Sequence, residues 1–243
     1  MKQKVLIIIP AYNEAKNLDR VIESLKADQY ATEYDYVIIN DGSTDNTRQL
    51  CRERGYSFVD LPCNLGIGGA VQTGYLYAYE NGYDVAVQID GDGQHNVEFL
   101  HKGIDVLNQG YDMVIGSRFI EPAEGFKSSF MRRIGIKMIS KTLKLLTRHE
   151  IRDITSGYRI CNRSLIEFYA KSYEQEYPEP QAALNALVFG YKVCEFPVVM
   201  NERKIGKSSI NGWKNCYYMI QVILTLYLSY FRAKKEKRKR RVK

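Results

Sequence analysis

The chain has 243 residues, 45% hydrophobic and 26% charged, with a formal net charge of +7. This length and balance support one sizeable core and exclude general disorder. The charge does not indicate nucleic acid, because residues 232–243 (RAKKEKRKRRVK) hold nine Lys/Arg and one Glu, which leaves the rest of the chain near −1.

Five scattered cysteines with no CxxC pair fit free thiols in a reducing compartment. The first apolar run, VLIII, is shorter than the roughly 7–15 residues of a secretory signal core, so the expectation is a cytoplasmic catalytic part.

Taken in chain order, residues 4–9 (KVLIII) read as a buried strand. In residues 17–26 a helix would place Leu18, Val21, Ile22 and Leu25 on one face. Residues 34–40 (YDYVIIN) form a second strand, and DGSTDNT after it offers Ser, Thr and Asp to cap a helix starting near Asp45. YSFVDL is a third strand, residues 68–79 a helix, residues 84–89 a fourth strand, 97–107 a helix and 112–117 a fifth strand. This alternation predicts an α/β fold with a mainly parallel sheet flanked by helices. From Phe119 the pattern changes to a long basic-aromatic loop. Helices near 130–146 and 181–189 follow, with a strand in YKVCEFPVVM.

In such sheets ligands bind beyond the carboxyl ends of the strands. Three of those ends carry polar turns: PAYNE, DGSTD and DGDGQH. Asp90 and Asp92, with Gly91 between them, can bring two carboxylates to one ligand, and Gln94 adds an amide oxygen. Such hard oxygen donors suit Mg²⁺ or Mn²⁺ that also binds phosphate; a solvated polar turn is the plainer reading. An EF-hand is excluded, since Gln94, His95 and His101 stand where that loop needs Asp/Asn, Gly and Glu. The segment GIGGA lacks the lysine of a P-loop and reads as close packing at a helix start.

The segments IIIPAYNEAKNL, VIINDGSTDNT, NLGIGGAVQTGY, VQIDGDGQH, IGSR and DITSGYR, in this order, resemble inverting glycosyltransferases of family 2 with the Rossmann-like GT-A fold. Within that family the likeness is to the dolichyl- or polyprenyl-phosphate hexose synthases, and it covers roughly residues 4–210. The resemblance implies that Pro10, Tyr12 and Glu14 line the nucleotide pocket, that Asp41 accepts from the base, and that Asp90 contacts the ribose. It makes Asp92 and Gln94 ligands of a Mg²⁺ or Mn²⁺ ion bridging the donor diphosphate, where a cation stabilises the departing nucleotide. Arg118 and Arg133 would face phosphate of the acceptor or donor, and Arg203 and Lys207 would belong to a basic loop closing over both. Asp153 would orient the acceptor or the cation shell, or else cap its own turn through Thr155 or Ser156.

The implied reaction moves a hexose from a nucleotide-diphosphate sugar to polyprenyl phosphate. Such an acceptor is already anionic and needs positioning more than a strong base. One alternative is transfer to a saccharide hydroxyl in surface-polysaccharide assembly. Glu176, Glu179 and Gln181 in EYPEPQAAL weaken it, because prolines separate the acids and Gln181 replaces one. Another is a non-catalytic nucleotide-sugar-binding subunit.

Residues 217–231 (YYMIQVILTLYLSYF) are too short to span a bilayer, which needs about 20 apolar residues. The expected organisation is a GT-A domain over 1–210, a membrane-interface or partner-docking helix over 211–231, and a basic tail over 232–243 that is either solvated or set on anionic lipid. Peripheral attachment to the cytoplasmic membrane face follows, directly or through a separate small integral membrane protein.

Overall fold

The computed structural model describes residues 3–93, 96–120, 130–199 and 212–242. Among these residues seven strands form one sheet: β1 (Val5–Ala11), β2 (Asp35–Asn40), β3 (Phe58–Asp60), β4 (Val85–Gln88), β5 (Met113–Ser117), β6 (Arg159–Asn162) and β7 (Val193–Pro197). Among the described residues eight α-helices accompany them: α1 (Leu18–Ala27), α2 (Thr47–Glu53), α3 (Gly66–Glu80), α4 (Phe99–Leu107), α5 (Phe130–Thr147), α6 (Arg163–Lys171), α7 (Pro178–Phe189) and α8 (Gly212–Val242).

The sheet order is β3-β2-β1-β4-β6-β5-β7. All pairings are parallel except those of β6, which runs against both β4 and β5. β1 is buried along its whole length, as a central strand covered on both faces must be. Its alternate residues feed two cores: Leu6 and Ile8 join the side of α3, α6 and α7, while Val5, Ile7 and Ile9 join the side of α1 and α4. The spacing of Leu18, Val21, Ile22 and Leu25 does produce a buried face on α1.

Two elements fall outside the sequence expectations. β6 is only four residues long and opens on an arginine, so it offers no apolar alternation to read. The helix after it, α6, is capped by Asn162, whose side-chain oxygen accepts from the Leu165 N–H at 3.0 Å. α7 begins at Pro178, earlier than the apolar run suggested, with proline in the first turn where its missing N–H is harmless.

α8 runs without a break for 31 residues, so the apolar stretch and the basic stretch are one helix. It packs along α7: Tyr177 donates to Gln221 Oε1, Gln181 donates to Ser229 Oγ, and Lys237 donates to the Val188 carbonyl. Its flank also meets α5, where a Cβ on Gly135 would come within 2.4 Å of Met219. No helix among the described residues is long and apolar enough to cross a membrane.

Candidate active site

The order β3-β2-β1-β4 puts a topological switch between β1 and β4, and the loops leaving these strands share one edge of the sheet. After β1, the chain turns through Asn13, at φ 59°, a left-handed conformation that asparagine tolerates. Asn13 Oδ1 then accepts from the backbone of Thr44 (2.8 Å) and Asp45 (3.2 Å) and from the Thr44 hydroxyl. In return the Asn13 N–H donates to Ser43 Oγ, and the Glu14 N–H donates to Thr47 Oγ1. PAYNE and DGSTD are thus joined side chain to backbone. Pro10 is buried, Tyr12 is exposed, and Glu14 is half-buried with its carboxylate accepting from Asn17 at 2.6 Å.

Asp41 is buried, and its Oδ1 accepts from the Leu65 N–H at 2.7 Å, which brings the start of α3 into the same cluster. The glycines there serve packing, as the sequence suggested: a Cβ on Gly68 would meet Gln175 Cα at 2.5 Å.

The acidic turn follows β4. Asp90 is half-buried and Asp92 buried. A Cβ on Gly91 would lie 2.9 Å from the Pro10 carbonyl and 3.6 Å from Glu14 Cγ, so this turn abuts the β1 loop. On the other side, a Cβ on Gly157 would sit 2.7 Å from Asp90 Oδ1; glycine lets the segment before β6 approach the carboxylate. Arg20 of α1, which sequence reasoning did not single out, donates to the Asp92 carbonyl at 2.7 Å. Its only sequence signal was a position on the polar side of an amphipathic helix.

Two carboxylates on one turn are hard donors of the kind Mg²⁺ or Mn²⁺ takes, the remaining positions falling to phosphate and water. The donor set therefore fits such an ion. No group of three or more His, Cys, Asp or Glu side chains is placed around one point among the described residues. Gln94, Arg203 and Lys207 lie outside the described residues.

Arg118 and Asp153 form a buried two-pronged ion pair: Nε to Oδ2 at 2.6 Å and Nη2 to Oδ1 at 2.7 Å, with the Arg118 N–H also on Oδ2. Asp153 is fully buried and is itself fixed through its N–H, which donates to Glu195 Oε1 on β7 at 2.7 Å. Asp153 thus orients Arg118 at the end of β5. Its contact with Thr155 Oγ1 is long, 3.5 Å. Arg133 is exposed on the first turn of α5.

Beneath the acidic turn, Gln88 and Arg159 are paired in register on β4 and β6, both fully buried. Arg159 donates from Nε to the Ser156 carbonyl and from Nη2 to the Ile154 carbonyl. It places a buried positive charge within electrostatic reach of Glu179, at the start of α7. Burial pushes the Glu179 carboxyl above its ordinary range, and the charge of Asp90 pushes the same way against Arg159. Arg159 and Glu179 thus lie within electrostatic reach of the acidic turn. Arg159 ends the DITSGYR segment and Glu179 lies in EYPEPQAAL, but nothing local to either segment showed that the two would meet here.

Residues 6–169 match the Glycosyl transferase family 2 domain. The polyprenol monophosphomannose synthase of Mycolicibacterium smegmatis is 30% identical over 226 residues, 86% of this chain and 82% of that one. The UDP-N-acetylglucosamine--dolichyl-phosphate N-acetylglucosaminyltransferase of Methanococcus voltae is 31% identical over 193 residues, 70% and 76% of the two chains. Among solved structures, the glucosyl-3-phosphoglycerate synthase of Mycobacterium tuberculosis, in complex with Mn²⁺, UDP and phosphoglyceric acid, superposes with a TM-score of 0.68. That likeness, at 17% identity over 94% of this chain and 78% of that one, bears out the GT-A fold. With its mainly parallel sheet and the loops of β1, β2 and β4 brought to one edge, the chain belongs to glycosyl transferase family 2.

Proposed function

We propose that the chain transfers a hexose from a nucleotide-diphosphate sugar to a polyprenyl phosphate, with inversion, at the cytoplasmic face of a membrane to which it attaches peripherally. The observation that carries this reading is the meeting of the Asp90–Asp92 turn with the Pro10–Glu14 loop, in a chain alike over most of its length to a polyprenol-phosphate synthase. Asp90 contacts the ribose. Asp92, with Gln94, would hold a Mg²⁺ or Mn²⁺ ion, which would supply positive charge for the diphosphate leaving group. Pro10, Tyr12, Glu14 and Asp41 shape the nucleotide pocket. Arg118, held in one orientation by Asp153, presents its guanidinium toward phosphate, with Arg133, Arg203 and Lys207 adding positive charge.

An assay offering undecaprenyl phosphate and a lipid-linked saccharide side by side, with UDP-glucose, GDP-mannose and UDP-N-acetylglucosamine as donors and Mn²⁺, tests the acceptor. Product on the lipid phosphate supports the reading; product only on the saccharide overturns it. One observation favours the saccharide alternative: Glu179 is a carboxylate of raised pKa near Asp90, as a base for a hydroxyl would be.

A further inference from the structure

α5 and α8 carry apolar side chains that the protein itself leaves uncovered. On α8, Ile220, Leu224, Leu228 and Phe231 are 57–72% exposed. At 100° per residue they form one stripe, opposite the buried line of Val222, Leu226, Ser229 and Ala233 that faces the body. On α5, Ile134, Met138 and Leu145 are exposed in the same way, while Ile136, Ile139 and Leu143 are buried. A soluble surface scatters such residues singly; aligned on two adjacent helices they mark an interaction face.

The charge around this face shows what it meets. The two helices hold fourteen Lys/Arg and one Glu, so the remaining chain, with 21 Lys/Arg and 27 Asp/Glu, is net −6. On α5, Arg133, Lys137 and Lys141 are exposed beside Ile134 and Met138. On α8 the apolar stripe runs directly into a basic one, since Lys235, Arg238 and Lys239 continue the line of Leu224, Leu228 and Phe231 and are exposed. The single acid, Glu236, is paired with Arg240. A protein partner or a second copy of the chain would have to match this strip with acids, and a second copy would oppose like charges across a two-fold axis. An anionic lipid surface takes both parts at once, apolar side chains into the acyl boundary and cations onto headgroups.

The face also adjoins the site. α8 meets Tyr177 through Gln221, at the end of α7 that carries Glu179, and from there runs along α7 to Val188. α5 is followed by the segment that carries Asp153.

We infer that α5 and α8 together form a flat lipid-docking platform, with Ile134, Met138, Leu224, Leu228 and Phe231 set into an anionic leaflet and Lys235, Arg238 and Lys239 on its headgroups. The inference deepens the lipid-acceptor reading and rests on it for the reason such a face should border the catalytic edge. An acceptor whose chain stays in the bilayer can then present its phosphate without leaving it.

The test uses the full chain and vesicles free of any prenyl phosphate, either phosphatidylcholine alone or phosphatidylcholine with phosphatidylglycerol. The platform predicts sedimentation with the anionic vesicles, weakened by salt. Both Leu224→Glu/Leu228→Glu and Lys235→Glu/Arg238→Glu should lose about tenfold or more in vesicle affinity. These residues are exposed, so melting temperature should change little, and transfer to a short water-soluble prenyl phosphate should stay at the wild-type rate. Failure of the wild type to bind anionic vesicles overturns the platform, as does wild-type binding by both double variants. A stable solution dimer that Leu228→Glu dissociates, with no vesicle binding, assigns the face to a second copy. If vesicle binding follows the prediction but no prenyl phosphate is ever glycosylated, the acceptor reading fails and the platform stands.

Discussion

The loops at residues 12–17 and 41–47 are joined by Asn13, Ser43, Thr44, Asp45 and Thr47, mostly at the surface, through several separate bonds. Arg118, at the other end of the same edge, is oriented by a buried carboxylate that is itself held by Glu195. The first arrangement spreads its energy over contacts of about 0.5–1.5 kcal/mol each, so that none is decisive. The second concentrates it in one desolvated pair, where removal of either partner strands a charge. The loop cluster is held by many small contacts, whereas the arginine is set in place by one buried partner.

The comparison is broken first at the chemistry. Asp92→Asn removes one carboxylate from the acidic turn without changing its size, and its carbonyl still accepts from Arg20. The expected outcome is a loss of about 10²–10³ in turnover with an unchanged melting curve, in line with the removal of one electrostatic stabiliser. Retained biological function in that variant would point to the non-catalytic binding subunit instead.

Next in size is Asp153→Ala. Breaking a buried pair costs about 3–5 kcal/mol, which at roughly 2–4 °C per kcal/mol means a fall of roughly 6–20 °C in melting temperature. The double variant Arg118→Leu/Asp153→Ala should regain much of that loss, because no buried charge is left alone, while remaining inactive. If the double variant melts as low as the single one, the pair is not what holds this part of the edge.

Asn13→Ala sharpens the other side of the comparison. It deletes an acceptor shared by three donors and puts a Cβ-bearing residue without local hydrogen bonding at φ 59°. A cost of about 1–3 kcal/mol is expected, together with a raised KM for the nucleotide sugar and a smaller change in kcat. Asn13→Gly separates the two effects, since it keeps the backbone angle and loses only the acceptor.

The same contrast explains which parts of the molecule could be read from its sequence. Strands β1, β2, β4 and β5 announce themselves as apolar runs ending in polar turns, so local pattern sufficed to put Asp41, Asp90 and Asp92 at strand ends on one edge of the sheet. β6 has four residues and begins with Arg159, which is buried opposite Gln88 across the sheet and within electrostatic reach of Glu179 on α7. No window of sequence contains that information. Asp153 could be noticed but not interpreted, because its partner lies 35 positions earlier and its anchor Glu195 lies 42 positions later. The basic stretch read as a tail because charge density favours solvent. Its helix instead lays Lys237 on the end of α7 and Arg240 over the rings of Phe168 and Phe189.

The smallest expected effect concerns Glu179, within electrostatic reach of Asp90 and Arg159. Burial holds its carboxyl above the ordinary value of 4.5, with Asp90 adding to the shift and Arg159 opposing it. A raised folded-state pKa means that the folded form prefers the protonated acid, so this group's contribution is fully present below pH 4.5 and is lost as pH rises through the raised value. Gln has the same shape and does not titrate. The melting temperature of Glu179→Gln should therefore equal that of the wild type in acid and exceed it near neutrality; a difference independent of pH would show that the carboxyl is solvated. Kinetics on the same variant bear on the acceptor. A lipid phosphate needs no proton removed, so kcat with polyprenyl phosphate should barely change, whereas a hydroxyl acceptor would lose its base and with it the alkaline-side activity.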